Sequence, residues 1–121
     1  MQTTKLVGSA GEQLAADYLY THGYTIIAYN YAVHHVGEID LIARKNEFLI
    51  CVEVKTRYSL LVPFEFLIPK SKQQKIIKTA RFYIQQHRFF DAVVRFDVVF
   101  VDLSTGSPVI THLPQAFEVG R

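Results

Sequence analysis

Apolar residues along this chain switch between helical and alternating spacing, and the switches mark its elements. Ser9 and Glu12 stand three apart, the pattern of a reciprocal cap at a helix start. Leu14, Ala15, Tyr18 and Leu19 then recur at helical spacing until Gly23, a natural stop. Tyr24 to Ala32 is rich in β-branched and aromatic residues and predicts a strand, as do Glu38 to Ala43 and Phe48 to Lys55. Arg44, Lys45, Asn46 and Glu47 are the expected four-residue loop of a hairpin between the last two. From Ser71 to about His87 the period is helical again, with Ile76, Ile77, Ala80, Tyr83 and Ile84 on one stripe. Val93 to Leu103 predicts a strand, and the turn from Ser104 to Pro108 leads to a short last one, Val109 to Leu113. This order implies a mixed sheet with helices packed on it.

No repeat or linker divides the 121 residues, so one domain spanning 1–121 is expected, and half of them are hydrophobic, enough for a core without staples. The single cysteine, Cys51, lies in an apolar run, which fits a small buried hydrophobe in a reducing compartment, with the cytoplasm as the expected location. No stretch approaches the roughly 20 apolar residues needed to cross a bilayer, and no secretory leader is read at the start. The 13 basic residues exceed the 11 acidic ones too little to name a partner, so their placement matters more.

The hairpin concentrates the chemistry. Alternation puts Ile39 and Leu41 on one face and Glu38, Asp40 and Ile42 on the other, while Cys51, Glu53 and Lys55 share a face of the next strand. With the loop centred between Lys45 and Asn46, Asp40 falls opposite Cys51 and diagonal to Glu53, about 7 to 8 Å away at the backbone. A one-residue slip would part the carboxylates onto opposite faces. Asp40 and Glu53 suit Mg²⁺, which takes hard oxygen ligands and keeps several waters, and Lys55 on the same face could hold an attacking water or neutralise developing charge. The competing reading is a plain ion pair of Glu53 or Glu38 with Lys55.

Four segments carry a resemblance: Gly11-Glu12 opening the first helix, Gly37-Glu38-Ile39-Asp40-Leu41-Ile42-Ala43, Val52-Glu53-Val54-Lys55-Thr56-Arg57, and Arg95-Phe96-Asp97-Val98-Val99. Together they resemble the YraN family of small bacterial proteins, counted within the PD-(D/E)xK, restriction-endonuclease-like phosphodiesterases. The resemblance implies a three-layer α/β/α core around a mixed sheet and a nuclease site similar to that of Holliday-junction resolvases. It further implies that Asp40, Glu53, the Val54 carbonyl and Glu12 hold Mg²⁺ or Mn²⁺ while Lys55 assists catalysis. Glu12 is read equally as a cap of its own helix, and Glu38 as a neighbour of the ligands. The residue before Asp40 is Ile39 rather than the Pro in the superfamily's name, a departure the family shares.

Between Lys70 and Phe90 lie Lys70, Lys72, Lys75, Lys78, Arg81 and Arg88 with no acid, and Lys75, Lys78 and Arg81 form a stripe at threefold spacing. Such a stripe can track phosphates, and Arg57 after the ExK strand is a further candidate; a solvated helix face is the alternative. Lys72 resembles the family's basic position on the second helix. The apolar segment from Leu60 to Ile68 is read as an added strand or lid packed under the protein, or else as a homodimer contact. His34 and His35 are read as loop residues near the substrate path, Asp97 as an ion-pair partner of Arg95 or a neighbouring Lys, and Cys51 as packing.

Three functions compete: a Mg²⁺-dependent DNA endonuclease acting on branched or junction DNA; a nucleic-acid-binding or assembly module that keeps the fold without turnover; and a purely structural protein working through the apolar segment. Only the first uses both carboxylates and the lysine together, and it is the function expected.

Overall fold

The computed structural model describes residues 9–57 and 67–119. Helix α1 (Ala10–Thr21) precedes strands β1 (Thr25–Val33), β2 (Gly37–Lys45) and β3 (Phe48–Arg57); helix α2 (Lys70–His87) precedes β4 (Val93–Asp102) and β5 (Val109–Phe117). The strands form one sheet in chain order. Every neighbouring pair is antiparallel except β3 and β4, which run parallel because α2 intervenes and carries the chain back.

The two helices cover opposite faces. Ala15, Ala16 and Leu19 of α1 pack with Leu41, Ile50, Val52, Val99 and Val101, while Ile76, Ile77, Ala80 and Tyr83 of α2 pack with Ile42, Leu49, Cys51, Val98 and Phe100. Three layers result, with β3 and β4 buried on both sides, as a parallel pair must be. The capping box forms as expected: Ser9 Oγ accepts from the Glu12 N–H at 3.1 Å, and Glu12 Oε1 accepts from the Ser9 N–H at 3.3 Å. α1 sits unusually close to the sheet at its start, where a Cβ on Gly11 would run into the Thr56 hydroxyl. That contact fixes Glu12, the next residue, above the end of β3.

Several expectations need correction. The hairpin loop has two residues, Asn46 and Glu47, because Lys45 already pairs with Phe48; Asn46 supplies the positive φ of 53° that so short a turn requires. The shorter loop shifts the register by one residue on each strand, so Cys51 pairs with Ile42 rather than Asp40. The last strand does not stop at Leu113 but continues to Phe117 through a bulge at Pro114 and Gln115, the latter with φ 52°. Of the apolar segment, Leu67 and Ile68 are buried against the α2 side of the core, and the remainder, residues 60–66, lies outside the described residues.

Candidate active site

A wedge opens in the sheet where β2 and β3 stop pairing. Their ladder runs from Lys45 and Phe48 to Leu41 and Val52. Beyond that rung β2 stays with β1 as far as Gly37, while β3 stays with β4 as far as Arg57. The first residues past the last rung are Asp40 and Glu53, which therefore face each other across the opening. The Val54 N–H, deprived of a strand partner, donates instead to Asp40 Oδ2 at 2.8 Å. In a strand the N–H and C=O of one residue point the same way, so the Val54 carbonyl also looks into the wedge.

Asp40 lies opposite Asn30, between the rungs joining Tyr29 to Leu41 and Tyr31 to Ile39. Asn30 has a φ of 49°, and the alternation of faces breaks across this row. Tyr29 and Leu41 pack on the α1 side, whereas Tyr31 and Ile39 pack on the α2 side. Ile39 and Leu41 were expected on one face; the left-handed residue in β1 turns them apart. It also aims the Asn30 amide at two acids, Nδ2 donating to Glu12 Oε1 at 3.1 Å and to Glu38 Oε2 at 3.2 Å. Glu12 is thus both a helix cap and a member of the group around Asp40.

Glu53 is 5% exposed and meets two ammonium groups: Lys72 Nζ at 2.7 Å from Oε2, and Lys55 Nζ at 3.7 Å from the same oxygen. Burial and the adjacent Glu53 carboxylate push the Asp40 carboxyl up to about 7, against the lowering effect of the Val54 N–H. Partial burial works against the charge on Lys72, yet the bond to Glu53 together with its other polar contacts and the charges of Glu53 and Asp40 outweighs it and raises the pKa. Gly37, Glu38, Asp40, Glu53, Ser71, Lys72, Lys75 and Ile76 line a groove of about 360 Å³ between β2 and α2.

The two adjacent carboxylates repel in this partly buried site, and Lys72 and Lys55 offset that charge at Glu53. Among the described residues no three carboxylate, imidazole or thiol side chains gather to cage an ion alone. The oxygens that the wedge could offer a cation are those of Asp40, Glu53 and the Val54 carbonyl, the hard donors that Mg²⁺ prefers.

The other expected residues fall as follows. Lys75, Lys78 and Arg81 are exposed along α2, whereas Lys72 turns inward to Glu53. The Arg57 side chain lies outside the described residues. His34 and His35 occupy the exposed turn after β1, their rings 3.8 Å apart. Cys51 is buried, and desolvation pushes its thiol up to about 12, so it packs rather than reacts.

Asp97 is fully buried and anchors a second polar cluster at the β5 bulge. It accepts from Arg95 Nε at 2.9 Å and Nη2 at 2.7 Å and from the Gln115 N–H at 2.9 Å, and it lies 2.7 Å from His112 Nε2. Arg95 also donates to the Tyr24 hydroxyl at 2.8 Å. The expected Arg95 ion pair is present, and sequence reading missed its partners on β5. It also missed Asn30, whose one signal was an Asn, the residue most tolerant of left-handed backbone after Gly, inside a β-branched run.

A mixed five-stranded sheet between two helices, with acids and lysines gathered at a split in its middle strands, is an α/β fold consistent with a restriction-endonuclease-like core. The model of the uncharacterised protein family UPF0102 matches residues 11–101. The chain is similar to a UPF0102 protein of Geobacter metallireducens, 40% identical over 116 residues that cover 95% of this chain and 94% of the relative. A UPF0102 protein of Trichlorobacter lovleyi is 41% identical over 116 residues, covering 93% and 91%. One from Clostridium botulinum strain Loch Maree is 43% identical over 104 residues, covering 84% and 83%. The chain belongs to the UPF0102 family, the YraN proteins.

Proposed function

We propose that the protein is a divalent-metal-dependent endonuclease that hydrolyses phosphodiester bonds in DNA. The observation that carries this reading is the juxtaposition of Asp40 and Glu53 across the wedge, next to two ammonium groups and open to a groove. In this reading Asp40, Glu53 and the Val54 carbonyl hold Mg²⁺ or Mn²⁺, with Glu12 beside them. The bound ion would supply Lewis acidity and a more acidic water. Lys55 orients the water that attacks phosphorus and offsets charge developing on the phosphate oxygens. Lys72 and Lys75, on the opposite wall of the groove, meet the phosphates on either side of the scissile bond. Family membership and the intact ExK strand support the reading, and the lone buried thiol suits a reducing compartment such as the cytoplasm.

The test is cleavage of labelled branched, nicked and single-stranded DNA with Mg²⁺, Mn²⁺ or chelator, by the wild type and by the folded Asp40→Ala and Lys55→Ala variants. Metal-dependent cutting lost in both variants is the expected result. Salt-sensitive binding without cutting would instead assign the protein as a DNA-binding module that retains the fold without turnover.

A further inference from the structure

The groove that holds Asp40 and Glu53 continues onto the outer face of α2. Lys75 lines the groove and is exposed. Lys78 and Phe82 follow three and seven residues later, which places all three on one face of the helix, within about 10 Å along its axis. The helix carries no acid from Lys70 to His87. Phe82 is 48% exposed, a large apolar ring set among cations and turned away from the core that Ala80 and Tyr83 join. Past the helix end Phe90 is 59% exposed, and with Arg88 and Gln85 it lines a shallow depression of about 340 Å³. Two lysines and then an exposed ring therefore follow one another along the helix face that begins at the groove.

A solvated helix face accounts for the lysines and tolerates a lone ring; what distinguishes Phe82 is that its half-exposed ring sits among cations on a helix with no acid. A second copy of this face is a poor occupant, because it would set like charges against each other. A polyanion with apolar faces is the complementary one. In a duplex the bases hide those faces in the stack and present only their edges in the grooves; in a single strand each base can lie on an aromatic ring.

We infer that the nucleic acid engages α2 as a single-stranded segment, its phosphates along Lys75 and Lys78 and an unpaired base stacked on Phe82. The inference rests on the phosphodiesterase reading and narrows it: substrates are polynucleotides that present unpaired nucleotides beside the cleavage position, such as flaps, gaps or opened branch points.

The chain contains no tryptophan, so Phe82→Trp creates a single reporter at the position of interest. With chelator present to prevent cleavage, a single-stranded oligonucleotide should quench this fluorescence on binding, and the same sequence as a blunt duplex should not. Phe82→Ala should weaken single-strand binding about tenfold and duplex binding less than about twofold, whereas Lys78→Ala should weaken both. Equal quenching by both forms, or an unchanged single-strand affinity in Phe82→Ala, overturns the stacking. A loss of self-association in Phe82→Ala, seen by sedimentation without change in DNA binding, overturns it in favour of a protein contact. If the wild type binds neither form at low salt, the nucleic-acid reading itself falls.

Discussion

The Lys72 ammonium lies 2.7 Å from Glu53 Oε2, a full ångström closer than that of Lys55, which shares a strand with Glu53. A helix residue thus supplies the nearer counter-charge of a buried carboxylate, at the position a divalent ion would claim. The two cations should compete. Lys72→Met is expected to raise Mn²⁺ affinity about fivefold, the effect of one partly exposed ion pair, in calorimetric titration. An unchanged or weaker affinity would show that Lys72 does not compete with the ion.

Asp40 and Glu53 are held close enough to repel, an arrangement that works against stability. Asp40→Asn keeps an acceptor for the Val54 N–H and removes the repulsion. In chelator this variant should be more stable than the wild type by about 1 kcal/mol, with a Tm about 4 °C higher, and with Mg²⁺ supplied it should no longer cleave DNA. A lower Tm would mean that the carboxylates stabilise the fold.

Much of this arrangement was legible in the sequence. Ser9 and Glu12 announced α1 because both halves of a cap are local, and the α2 stripe was clear because eighteen residues give the helical period room to show. Asp40 and Glu53 were correctly placed on a shared side, since a shift of one residue on each strand leaves the pairing parity intact. What could not be read depends on contacts distant in sequence. The face reversal at Asn30 needs β2 beside it, and the extension of β5 past Pro114 depends on Asp97 capturing the Gln115 N–H, eighteen residues away. Lys72 could be placed on a helix but not aimed at Glu53, since nothing in its own segment fixes how α2 lies on the sheet.

Burial alone would raise the Asp97 pKa, but bonds from His112, Arg95 and the Gln115 N–H outweigh it and hold the group below its ordinary value. As pH falls, the unfolded chain therefore takes up this proton first. The contribution of Asp97 to stability is complete above about pH 5 and is lost as pH drops through the lowered folded value. Asp97→Asn leaves Arg95 without its buried partner and should cost about 3 kcal/mol at pH 7. In urea titrations the gap between wild type and variant should narrow from pH 7 to pH 3; a constant gap would remove the electrostatic account.

Cys51 should be silent in the native protein. Its thiol is buried and pushed up to about 12, chiefly by desolvation. An aromatic disulfide reagent at pH 8 should label it only at the rate of unfolding, and fully in urea. Rapid labelling of the native chain would mean that the α2 side of the core opens.

The two outermost strands of the sheet both carry distortions. β1 has a register shift between Ile26 and Ala28 and the left-handed Asn30, and β5 has its bulge, Pro114 and the left-handed Gln115. An open sheet with straight rims is a template on which further strands can add without limit. Here neither rim offers an unbroken row of donors and acceptors, so another molecule cannot simply extend the ladder. The irregularities that aim an amide at Glu12 and engage Asp97 thus also interrupt both rims against the addition of a further strand.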